Sequence, residues 1–240
     1  MNLRPSRPPW VTLTGVDESV SPLELVFLAE RFPFVEWGVL YSRAREGQPR
    51  YPRRDWILDL AQYRTRGINV ALHLCGSVAA LALEGYPPPA ALAFPRVQIN
   101  GYDGGQLAGG LHGSHGTHRP HLWNTWATYD VEFILQAREP GHLAMAAREA
   151  IAIQGSVLFD ASGGRGIAPA EWPALPAGVR VGCAGGITPE TALATLDRVT
   201  ALGASWIDME SSLRTEDDRF DLRKALAVLE AVAPRWRGHR

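Results

Sequence analysis

Three observations in this chain predict an α/β fold built as a single (β/α)8 TIM barrel. Eight apolar, β-branched runs alternate with segments of helical spacing along the 240 residues, a length that accommodates eight strand-plus-helix units in one domain. No shift of composition marks a boundary between 1 and 240. The last three apolar runs each enter a glycine- or serine-rich turn: FDASGGRGI (159–167), GCAGGIT (182–188) and IDMESSLR (207–214).

The runs are WVTLTG (10–15), FVEWGVLYS (34–42), INVALHLCG (68–76), RVQING (96–101), VEFILQAR (131–138), SVLFDAS (156–162), VRVGCAGG (179–186) and SWIDMES (205–211). Helix candidates lie between them. SPLELVFLAERF (21–32) has Ser21 placed as N-cap and Pro22 at the first helical position, and RRDWILDLAQYRTRG (53–67) ends in Gly67. TPETALATLDRVTALG (188–203) has a Thr-Pro-Glu start and a closing glycine, and FDLRKALAVLEAV (220–232) is an amphipathic run near the end of the chain. A doubly wound open sheet would carry a GxGxxG turn after its first strand. VTLTGVDES has one glycine there, and the barrel is the better reading.

The fourth unit is irregular. Residues 101–130 hold too much glycine for a regular helix, and a long segment of this kind after a strand is expected as a lid on the catalytic face. Within it His112, His115, His118 and His121 recur at every third position. Imidazole favours zinc and nickel, so a metal site is one reading. A glycine-flanked loop supplies little fixed geometry, so solvated histidines are the other, and no metal or other cofactor is expected.

Hydrophobic residues make up 46% and charged residues 20%, with a formal net charge of −1, which excludes strong attraction to nucleic acid or a membrane surface. The arginine-bearing start, MNLRPSRPPW, leads into no long apolar run, and a cytoplasmic location is expected. Cys75 and Cys183 form no spaced framework and read as reduced thiols. Lys224 is the sole lysine and falls on an amphipathic helix, leaving no strand-end amine for Schiff-base chemistry.

Glycine lets backbone N–H groups approach an anion, and the loops after the last strands of such a barrel are where phosphate usually sits. The three turns therefore read as a cradle made of Gly163, Gly164, Gly185, Gly186, Ser211 and Ser212, with Gly166 allowing the turn. Arg165 and Arg214 add positive charge beside it or, alternatively, face solvent. A small phosphorylated molecule is the expected partner.

Through these motifs the chain resembles the phosphoribosylanthranilate isomerase family of tryptophan biosynthesis. VTLTGVD (11–17) is similar to the family's V-K-I-C-G-I-T, GVLYSRAREGQPRYP (38–52) to its second strand followed by S-P-R-Y, and RVQING to V-Q-L-H-G. FDASGGRG…EW (159–172), GCAGGITPET (182–191) and IDMESSLRT (207–215) resemble D-x-x-x-G-G-T-G-x-x-F-D-W, L-A-G-G-L-T-P-E-N and V-D-V-S-S-G-V-E, and are the most specific.

The resemblance implies an Amadori rearrangement of an N-linked phosphoribosyl amine to an open-chain aminoketose, an aldose-ketose isomerisation by general acid and base. It places the acid at Asp160, whose bland alternative is to cap the turn that follows, and a carboxylate-holding arginine at Arg50, otherwise one arginine of an arginine-rich stretch. The family's base cysteine falls on Thr14, and a hydroxyl is too weakly acidic to replace a thiol as base. Substitutes are Asp17, Cys75, Glu210, which stands where the family has serine, and above all His73, unless that imidazole is structural. The chain thus reads as an isomerase-like enzyme acting on a phosphorylated sugar derivative. The alternatives are a binding or regulatory protein that keeps the phosphate site, and a metal-binding barrel.

Overall fold

The computed structural model describes residues 10–101, 131–162 and 165–237. Eight parallel strands close a barrel in chain order: β1 (Val11–Thr14), β2 (Val35–Tyr41), β3 (Asn69–Leu74), β4 (Arg96–Ile99), β5 (Glu132–Ala137), β6 (Ser156–Asp160), β7 (Arg180–Ala184) and β8 (Trp206–Met209). The eight expected runs are these eight strands, each trimmed by one or two residues at one or both ends. The helices are α1 (Pro22–Arg31), α2 (Arg54–Gln62), α3 (Ser77–Leu83), α4 (Pro140–Ala152), α5 (Ala192–Ala201) and α6 (Leu222–Arg237). The 101–130 lid and its four histidines lie outside the described residues beyond Gly101, as do Gly163 and Gly164.

Local chemistry explains the helix ends. Ser21 caps α1 through a reciprocal box, its hydroxyl accepting from the Glu24 N–H while the Glu24 carboxylate accepts from the Ser21 N–H. α2 passes into a 3₁₀ turn, Tyr63–Arg66, that stops at Gly67 with φ +80°. α5 begins at Ala192, four residues later than the Thr-Pro-Glu signal suggests. The Thr191 hydroxyl instead accepts from the Thr188 N–H at 2.9 Å, holding 188–191 as a turn that leads into the helix. α6 continues past Val232 through Pro234 to Arg237.

Each strand alternates between two cores, as a pleated backbone requires. Outward residues such as Leu13, Trp37, Leu72, Phe133, Phe159 and Ile207 are buried against the helices. Inward residues are far more polar. Toward the N-terminal ends of the strands Thr12, Glu36, Arg96, Glu132 and Arg180 form a hydrogen-bonded ionic layer, in which the Thr12 hydroxyl donates to Glu36 at 2.9 Å. Arg96 donates to Glu36 at 2.5 Å and to Glu132 at 3.3 Å, Arg180 donates to Glu132 at 2.8 Å, and both guanidiniums lie against the indole of Trp206. Gly182 makes room for that indole: a Cβ there would stand 2.1 Å from the ring.

Candidate active site

Further along the inward faces lie Thr14, His73, Gln98, Gln136, Asp160, Ala184 and Asp208, lining a cavity of about 140 Å³ at the C-terminal mouth. Gly166, Gly185, Gly186, Ser211 and Ser212 line the same cavity. The structure therefore brings the described part of the expected cradle beside Asp160, His73 and Thr14. Asp160 on β6, Ala184 on β7 and Asp208 on β8 stand at one register level, so two carboxylates flank a methyl side chain.

Asp160 is held by an Asx-type turn that its own position creates. Its Oδ1 accepts from the Ser162 N–H at 3.1 Å and the Ser162 hydroxyl at 2.7 Å, while Oδ2 accepts from Gln136 Nε2 at 2.9 Å. The turn-capping role and the cavity-facing position coexist.

Asp208 escapes reading from the sequence alone, although the signal is present: a carboxylate inside the apolar strand WIDM needs an internal partner or a task. The partner is Thr14, whose hydroxyl donates to Asp208 Oδ1 at 2.7 Å. Gly38 on β2 permits this pairing, since a Cβ there would stand 2.2 Å from Thr14 Oγ1. Burial pushes the Asp208 carboxyl well above the ordinary carboxylate range, the Thr14 bond opposing and the negative charges of Glu210, Glu36 and Asp160 adding to the rise.

His73 is fully buried on β3, and burial together with the Arg96 charge below it lowers its pKa to about 3. An imidazole so reluctant to take a proton is a poor general base near neutral pH, which counts against the first-choice substitute of the sequence reading. Cys75, another candidate, is pushed up to about 11 by burial and stays a thiol. Asp17 accepts from Arg214 at 2.6 Å and from the Ser19 hydroxyl at 2.5 Å, outside the cavity lining.

The arginines are placed differently from expectation. Arg50, at φ +72°, donates from Nε to Asp218 at 2.9 Å and from Nη1 to Glu210 at 2.8 Å, so its fork already holds two carboxylates. These bonds and the facing charges raise its pKa against the opposing effect of burial, and burial raises that of Glu210. Arg214 neither faces solvent nor lines the cavity: it is buried, donating to the carbonyls of Gly15 and Asp218 and to the carboxylates of Asp17 and Asp218, and ties the loop after β1 to the loop after β8. Arg165 is exposed and turns back to donate to the Ser162 carbonyl at 2.8 Å. Arg138, at the end of β5 and not singled out in the sequence, is the arginine on the cavity lining.

The glycine turns have a packing reason as well. Gly186 has φ +61°, and a Cβ on it would lie 2.3 Å from the Ala168 backbone N, so only glycine lets the loop after β6 fold over the loop after β7. The Ser212 hydroxyl donates to the Ile187 carbonyl at 2.6 Å, bracing the loops after β7 and β8 together. Among the described residues no group of three or more His, Cys, Asp or Glu could hold a metal ion, and no helix is long and apolar enough to cross a membrane.

No protein-family model and no curated protein matches the chain. Solved structures do. Phosphoribosyl anthranilate isomerase from Thermotoga maritima is similar at 10% identity and a TM-score of 0.56, covering 94% of this chain and 99% of that one. The same enzyme class in complex with reduced 1-(o-carboxyphenylamino)-1-deoxyribulose 5-phosphate gives 10% identity and 0.57 over 94% and 99%. The tryptophan synthase alpha subunit from Legionella pneumophila gives 13% and 0.54 over 94% and 93%. At these identities the likeness is one of fold, and what the chain shares with all three is the (β/α)8 barrel.

Proposed function

We propose that this barrel catalyses an Amadori-type aldose-ketose isomerisation of a phosphorylated sugar amine. The observation that carries the reading is the placing of Asp160 and Asp208 on either side of Ala184, in one cavity with the glycine and serine turns. In the proposed mechanism the phosphate rests on the turns at Gly185, Gly186, Ser211 and Ser212. Asp160 delivers a proton to the furanose ring oxygen, the C1–O bond breaks, and the nitrogen lone pair forms a protonated imine at C1. That imine acidifies the C2 hydrogen.

Asp208 then takes the C2 proton, giving an enolamine that becomes the aminoketose when C1 gains a proton and the C2 hydroxyl releases one, the proton taken up by Asp208 balancing the one given by Asp160. A carboxylate with raised proton affinity is a stronger base than an ordinary one, and a buried one works in a low dielectric. Thr14 serves as a positioning residue, holding one oxygen of Asp208 through its hydroxyl. This assignment answers the weakness of Thr14 as a base without recruiting His73.

The test is turnover of phosphoribosylanthranilate, followed by loss of its fluorescence, with wild type, Asp160→Asn, Asp208→Asn and Thr14→Cys. Wild type is expected to turn over, and each Asn variant to lose about 100-fold or more in kcat. Inactive wild type that gains activity only as Thr14→Cys would instead indicate a barrel that lost its base. Phosphosugar binding with no activity in any variant would favour a binding protein.

A further inference from the structure

The floor of the cavity carries two polar atoms to which the mechanism gives no work. His73 Nε2 and Gln98 Oε1 are both buried, with no hydrogen-bond partner among the described residues. The two residues are register partners on β3 and β4, and both line the cavity. Other buried atoms without partners among the described residues, such as Glu36 Oε2 and Arg96 Nε, lie at the opposite end of the inward faces and belong to the ionic layer.

The Gln98 amide is not free to flip. Gln98 Nε2 donates to Asn100 Oδ1 at 2.8 Å, Asn100 Nδ2 donates to Cys75 Sγ at 3.2 Å, and that thiol donates to the His73 carbonyl at 3.6 Å. The chain of donors fixes which end of the Gln98 amide donates and leaves Oε1 as an acceptor. The buried imidazole beside it is uncharged, so one ring nitrogen can carry a hydrogen and the other a lone pair. A buried polar atom without a partner costs about 1–3 kcal/mol, and such a cost is commonly recovered when a ligand arrives.

We infer that His73 and Gln98 form a hydroxyl-reading subsite on the cavity floor, taking one hydroxyl of a polyol chain between the imidazole Nε2 and the amide Oε1. The hydroxyl donates to Gln98 and accepts from His73. An uncharged donor-acceptor pair selects a neutral group that is itself both donor and acceptor, which a hydroxyl is and a carboxylate or phosphate is not. The subsite rests on the sugar-phosphate reading above and assigns His73 to specificity rather than to proton transfer.

Calorimetric titration with ribitol 5-phosphate, n-pentyl phosphate and inorganic phosphate tests this on wild type, Gln98→Met and His73→Phe. Wild type is expected to prefer ribitol 5-phosphate over n-pentyl phosphate by at least tenfold. Each variant should lose about tenfold toward ribitol 5-phosphate alone, leaving the other two ligands unchanged. Wild type that binds both alkyl and polyol phosphates equally would overturn the subsite even if neither variant folds, as would folded variants with undiminished ribitol 5-phosphate affinity. Those outcomes leave the phosphate cradle standing, whereas wild type that binds none of the three ligands contradicts the sugar-phosphate reading and the subsite together.

Discussion

The two ends of the barrel interior are built from the same inward-pointing strand positions and solve opposite problems. At the N-terminal ends every carboxylate meets a guanidinium: Glu36 and Glu132 close on Arg96, and Glu132 also on Arg180. At the C-terminal ends Asp160 and Asp208 are met by hydroxyls, an amide and a backbone N–H. One layer neutralises buried charge, and the other concentrates it beside a cavity. One or two inward positions along a strand thus separate groups that hold the barrel closed from groups suited to chemistry.

The contrast can be broken most forcefully in the ionic layer. Arg96→Met strands Glu36 in a fully buried site, at a cost of about 3–5 kcal/mol. For a chain of this size thermal unfolding should register a fall in Tm of roughly 10 °C. A variant as stable as wild type would mean that the network is dispensable for closure.

Stability measured against pH should then separate the layers by sign. Glu132 has its folded pKa below the ordinary value of 4.5, so the stability it contributes is present above that value and is lost as pH falls through the folded pKa. Asp208 has its folded pKa above 3.8, so the folded state keeps a proton that the unfolded chain has released, and stability falls as pH rises from there through the folded pKa. Asp208→Asn should accordingly gain on wild type as pH rises across that window in denaturant titrations. Equal slopes for the two proteins would remove the burial argument for Asp208.

The same linkage gives His73 a window of its own. Its folded pKa of about 3 lies below the ordinary 6.5, so the unfolded chain binds the proton first and wild-type stability falls as pH drops from 6.5 toward 3. His73→Phe should flatten that part of the profile, and a profile left unchanged would mean that the imidazole is charged or exposed. The smallest effect is expected at the rim. Glu210→Ser releases one of the two carboxylates that hold Arg50 and should lower KM for phosphoribosylanthranilate, whose ring carboxylate the freed fork can meet, by about threefold in steady-state assays. A raised KM would show that Glu210 itself contacts substrate.

The strands were legible because an inward and an outward core impose apolar, β-branched runs, and Ser21 with Pro22 announced the start of α1. The start of α5 was not, because Thr188 and Thr191 favour a turn whose hydroxyl bonds compete with the helix. Asp160 and the glycine turns were readable from local spacing. Asp208, Arg214 and the engagement of Arg50 were not, since each depends on a partner far along the chain: Asp208 lies 194 positions from Thr14, and Arg214 lies 197 from Asp17. The preference for His73 as base rested on the ordinary imidazole pKa. Burial above Arg96 removes that premise, and only the fold reveals it.

The most direct measurement of the central claim is a crystal structure of the protein soaked with ribose 5-phosphate. The account predicts the phosphate against Gly185, Gly186, Ser211 and Ser212, with the sugar carbons between Asp160 and Asp208. A phosphate seated away from these turns, or a sugar chain leading away from both carboxylates, would contradict it.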